Sequence, residues 1–148
     1  MLQKWAFTFV LFLSVLSASA QFRKIPAVVT DAFKAKYATA TGVEWKDRLT
    51  AFEANFKVGE KDMKASFTSK GEWLKTESNF TYNSLPLEVK DGFKKSKYAD
   101  LTVTGVMQVE EKEKGVLYKI AVKKNEYSKR NLVFSKTGQL ISDNGTII

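Results

Sequence analysis

The sequence has no cysteine and no histidine among its 148 residues, and only two prolines. Without cysteine there is no disulfide and no lipid-anchored thiol, so packing alone must stabilise the fold. Without histidine the usual general base, the usual zinc ligand and every triad built on imidazole are excluded. A carboxylate pair or a Ser–Lys arrangement are the ordinary catalytic routes left, and neither has a recognisable motif here. The chain also lacks any apolar run of about 20 residues, the length a spanning helix needs. These absences predict a protein that is not an enzyme, has no cofactor and has no metal site.

What is present begins at the N-terminus. Lys4 supplies a positive start, Ala6 to Leu16 is a short apolar run, and Ala18-Ser19-Ala20 is a small-residue cleavage site. The pattern predicts a secretory signal peptide over residues 1–20, removed after Ala20. The chain carries 24 Lys and Arg against 16 Asp and Glu, and the leader takes one lysine with it, leaving 23 − 16 = +7. A basic exported chain points to anionic lipid, envelope polysaccharide or an acidic protein surface rather than to nucleic acid. The bland reading is a solvated surface, because Lys and Glu alternate with apolar residues throughout.

Each proline sits in one of two similar stretches, KIPAVVTDAFKAKY at residues 24–37 and SLPLEVKDGFKKSKY at 84–98. Ile25, Val28, Val29, Ala32 and Phe33 in the first, and Leu85, Val89 and Phe93 in the second, recur at helical spacing. Proline is tolerated in a first helical turn, so Pro26 and Pro86 mark helix starts. Ser84 is the expected N-cap of the second helix, and Gly92 inside it should weaken it by about 1 kcal/mol relative to alanine.

After each helix the period changes to two. Strands are predicted from Thr41 toward Lys46, at Phe52 to Val58, Met63 to Phe67 and Trp73-Leu74, and again from Thr104 toward Glu110, at Tyr118 to Val122, Leu132 to Phe134 and Leu140-Ile141. The expected class is therefore α+β, built as two tandem units of a helix plus four antiparallel strands, residues 21–82 and 83–148. A unit of about 60 residues buries too little to be comfortable alone, so the two should join edges or share a core. Edge joining gives one continuous eight-stranded sheet with helices on one face and a polar surface on the other.

An exported chain with two "[IL]-P…F-K…Y" helices, each followed by a four-stranded meander with an alternating strand such as Phe52 to Val58 and a Gly-containing hairpin such as Ser69 to Trp73, resembles the PepSY-like family. That family is similar in fold to the β-lactamase-inhibitory protein, and the likeness runs from Lys24 to Asp143. The resemblance implies a periplasmic or secreted protein with an eight-stranded platform and helices behind it. It also implies binding of other proteins, including hydrolases, without catalysis. The chain departs from the β-lactamase-inhibitory protein in lacking its cysteines and in having shorter units, and no inhibitory residue carries over.

For the binding residues themselves, Trp45 is the first candidate, because its repeat counterpart is Gln108, and Lys46, Asp47 and Arg48 beside it would make a basic-aromatic spot. The bland reading is that Trp45 packs over the edge of its own helix. Trp73, paired with Leu140, reads as core. Glu110 to Gly115 reads as a charged hairpin tip, either an edge kept soluble or a binding loop. Two functional readings result: an exported non-enzymatic module of the bacterial envelope that binds or inhibits a protein partner through its sheet face or hairpin tips, or a binder of anionic lipid or envelope polysaccharide through surface lysines and aromatics.

Overall fold

The structure, a computed structural model, describes residues 24–147, so the predicted leader lies outside the described residues. Helix α1 (Ala27–Lys36) precedes strands β1 (Thr41–Arg48), β2 (Ala51–Val58), β3 (Lys61–Phe67) and β4 (Trp73–Phe80). A 3₁₀ turn at Tyr82–Ser84 leads into α2 (Leu87–Lys94), followed by β5 (Thr102–Glu111), β6 (Gly115–Asn125), β7 (Ser128–Ser135) and β8 (Leu140–Ile147). The strands form one open eight-stranded sheet in sequence order, every neighbour antiparallel. β4 and β5 pair directly, so the edges join.

Both helices begin immediately after their proline, whose ring fixes an extended entry at φ −62° for Pro26 and −54° for Pro86. Ser84 does not cap α2. It ends the 3₁₀ turn instead, its backbone N–H donating to Thr81 Oγ1 at 3.2 Å, and neither helix has a side-chain cap. The proline, two residues nearer the helix, sets the boundary that Ser84 was expected to set. The fourth strands are also longer than their apolar signals, because β4 continues through the polar run Lys75 to Asn79 and β8 through Ser142 to Gly145.

Following the cross-strand register places α1 and α2 on the same side of the sheet. Phe33 of α1 meets Trp45, Phe56 and Phe67 with ring centroids at 5.3, 4.9 and 6.2 Å, and Phe93 of α2 meets Phe134 at 6.4 Å. Two apolar clusters result, one under each helix. Trp73 packs against the first, as expected of a core residue. A tyrosine after each helix ties it to the last strand of its meander: the Tyr37 hydroxyl bonds Thr76 Oγ1, and Tyr98 donates to the Asp143 carboxylate.

Candidate functional site

Because successive strand residues alternate across the sheet, the register sorts every strand position onto the helix side or the open side. Phe52, Ala54 and Phe56 of β2 face the helices, and their cross-strand partners Phe67, Ala65 and Met63 do the same. The open side takes Lys64 of β3, Lys75 and Glu77 of β4, Met107 and Val109 of β5, and Leu117 and Lys119 of β6. All the aromatic rings of the described strands lie on the helix side.

At the centre of the open side sits Glu77. Its side chain is only 8% exposed, and its carboxylate lies 2.8 Å from Lys64 Nζ, 2.8 Å from Lys75 Nζ and 3.6 Å from Lys119 Nζ. Burial alone would raise the Glu77 carboxyl, but the hydrogen bonds and charges of Lys64 and Lys75 outweigh it and hold its pKa at about 2. Its hydrogen bond to Glu77 is likewise the main cause raising the Lys64 ammonium above the usual lysine range. Glu77 is thus a fixed anion and Lys64 a fixed cation at neutral pH. General acid–base work needs a pKa near the operating pH, which neither has.

Beside the cluster a groove of about 380 Å³ runs toward the β1 edge, walled by Glu44, Asn55, Lys64, Glu77 and Asn79, with Met107 at its inner end. The face is not the uniformly polar surface that alternation predicts. Val109, directly opposite Glu77, is 0% exposed and its neighbour Leu117 is 6% exposed, although no helix covers them. The open side therefore carries buried apolar residues at its centre, among its charged ones.

Trp45, Lys46 and Arg48 do not form one spot. Trp45 points to the helix side, half-buried against Phe33 and Phe67, whereas the alternation sends Lys46 and Arg48 to the open side. Arg48 there reaches Glu53 at 3.1 Å. Trp45, with Phe33, Tyr37 and Val43, instead lines an apolar groove of about 570 Å³ between α1 and the β1 edge. The charged tip is shorter than Glu110 to Gly115, since Glu110 and Glu111 complete β5 and Lys114 reaches back to Glu111 at 3.2 Å. Sequence reading missed the Glu77 cluster because its lysines come from three strands, and only the register brings them together.

With the geometry in place, comparison with known proteins fixes the family. The family model described as "Putative beta-lactamase-inhibitor-like, PepSY-like" matches residues 50–142, more than half of the chain. The chain belongs to the PepSY-like family. The matched stretch of this PepSY-like protein contains Glu77 and its three lysines, while Trp45, Lys46 and Arg48 precede it. A BLIP-like protein from Bacteroides fragilis NCTC 9343 superposes with a TM-score of 0.79 at 24% identity, over 86% of this chain and 91% of that one, a likeness of fold. A protein from Bacteroides ovatus ATCC 8483, described as of the DUF2874 family, gives 0.78 at 26% identity over 82% and 88%. One from Bacteroides eggerthii DSM 20697, described as "putative periplasmic", gives 0.76 at 27% over 82% and 89%. No curated protein matches the chain. Among the described residues, no helix is long and apolar enough to cross a membrane.

Proposed function

We propose that this PepSY-like protein is an exported, non-catalytic binding module of the bacterial cell envelope, periplasmic or secreted, whose open sheet face holds a protein partner. In this reading residues 1–20 are a cleaved leader and residues 21–82 and 83–148 are the units from which the platform is built. One observation carries the proposal: one sheet face is free of helices and has at its centre an ion cluster gathered about the sheltered Glu77 carboxylate. Binding energy concentrates in such desolvated centres surrounded by a polar rim. The inhibitor-like description of the family and the BLIP-like name of a fold relative agree with it.

The alternative, adhesion to anionic lipid or envelope polysaccharide through lysines and aromatics, is less well supported. Sugars are commonly gripped by stacking on exposed rings, and the strand aromatics here are turned toward the helices. To test the proposal, a photo-crosslinking residue replaces Asn79 on the open face or Lys94 on α2, and the protein is exposed to envelope extract at rising salt. Crosslinking of a discrete protein from position 79 but not 94, persisting at high salt, is the expected result. Retention of lipid or polysaccharide alone, lost as salt rises, would favour the alternative.

A further inference from the structure

The sheet is open, and among the described strands β1 has only β2 beside it. An edge strand is a template for a further strand, and folds commonly defend it with charges, most often lysines, that repel a copy of themselves. β1 instead places two exposed residues of opposite sign, Glu44 and Lys46, on either side of Trp45. Among the described residues neither has a charged partner within 4 Å. On the helix side of the same edge lies the apolar groove of about 570 Å³, where Val43 is 38% exposed beside Phe33, Tyr37 and Trp45. The edge is thus charged on one face and apolar on the other.

We infer that β1 pairs with β1 of a second copy of this chain, antiparallel about a two-fold axis perpendicular to the sheet and passing beside Trp45. Such an axis keeps the helices of both copies on one side. It also requires one residue to face itself, because facing residues of antiparallel strands share a face. Charge decides which residue that is. Centring on Glu44 or Asp47 opposes two carboxylates, centring on Lys46 two ammonium groups and centring on Arg48 two guanidinium groups. Centring on Val43 leaves Glu44 opposite Gly42 and falls within the register irregularity between Thr41 and Glu44. Centring on Trp45 places Glu44 opposite the partner's Lys46 and, by symmetry, Lys46 opposite the partner's Glu44, with no like charges opposed. On the helix side it brings the two Trp45 rings together and sets the two apolar grooves next to each other under the joined edge. The other outer strand, β8, has one charged residue, Asp143, already engaged by Tyr98 and by Lys97 at 3.4 Å, so no charge pattern selects a register there. The opposed segment of β1 is short, and the dimer is a reversible one. The pairing goes beyond the binding-module reading and does not depend on it.

The test is sedimentation velocity of the chain without its predicted leader, residues 21–148, over about 1 to 500 µM. The expected result is a sedimentation coefficient that rises from the monomer to the dimer value with concentration. Glu44→Lys alone and Lys46→Glu alone each turn both symmetric pairs into like-charge pairs, and each should weaken self-association by about tenfold or more. Mixed in equal amounts, the two variants should associate with each other as the wild type does with itself, because every opposed charge in the mixed pair is again unlike. A variant that had merely lost its fold could not recover in this way. A chain that stays monomeric throughout, single reversals that leave the dimer intact, a mixture that does not associate, or species that grow beyond the dimer by pairing β1 with β8 would each overturn the inference.

Discussion

Glu77 concentrates the electrostatics of the sheet on one residue, and its stability contribution has a definite sign. A carboxyl whose pKa falls from 4.5 unfolded to about 2 folded stabilises the native state above pH 4.5, and that contribution is lost as pH drops toward 2. The size expected for a side chain this sheltered is on the order of 2 kcal/mol. Urea melts from pH 7 to pH 2 should show the fall, and Glu77→Gln should be less stable at pH 7 and nearly flat below pH 4.5. A variant that retains the wild-type pH slope would mean that other carboxyls carry it. The apolar residues give a second expectation at this scale. Phe33 and Phe93 are each 4% exposed, and either one changed to alanine should cost about 3 to 5 kcal/mol in a chemical melt. Wild-type-like melting of both variants would contradict the two-core arrangement.

The elements meet most closely where the second meander's last hairpin touches its helix. Propensity alone says that Gly92→Ala should strengthen α2 by about 1 kcal/mol. The packing says the opposite, because a Cβ at Gly92 would lie 1.9 Å from the Gly138 carbonyl oxygen, and one at Gly138 would lie 2.0 Å from the Glu88 carbonyl oxygen at a φ of +81°. Backbone cannot move aside as a flexible side chain can, so Gly92→Ala should lower stability by about 1 to 3 kcal/mol, read as a fall in melting temperature. A rise would mean that the hairpin is not held against the helix as the structure has it. The order of helices and strands was legible because the 3.6 and 2 periods of Phe33, Phe93 and the Phe52 to Val58 run are strong. The tail of β4 was not, since Thr76 and Ser78 sit on the helix side between the two cores, where no apolar stripe is needed. The same period of two could have separated Trp45 from Lys46, as adjacent strand residues cannot share a face. No local pattern could have found Glu77 with Lys119, which is 42 residues further along the chain and two strands away.

For the whole molecule the decisive junction is β4 against β5, where the first meander contributes to what the second must bury. Phe80, the last residue of β4, pairs with Val106 and meets the Tyr118 ring at 5.8 Å, and Tyr82 meets Phe93 at 5.8 Å. Lys119 returns the contact by reaching Glu77 from the second meander. A fragment of residues 83–148 therefore loses the aromatic cover of its core and exposes the β5 edge, and at about 65 residues it has little stability to spare. Expressed alone, it should be unfolded or associate, and the intact chain should unfold in one calorimetric transition. Phe80→Ala separates this from mere additivity. If the two cores are coupled through the junction, truncating a residue of the first meander should lower the single transition by about 3 kcal/mol as a unit. If they are independent, the same change should split the melt, with the second core unfolding early and the first at its original temperature. The shared strand pairing and the ion cluster that straddles it favour the single transition, and with it a sheet that unfolds as one unit from one edge to the other.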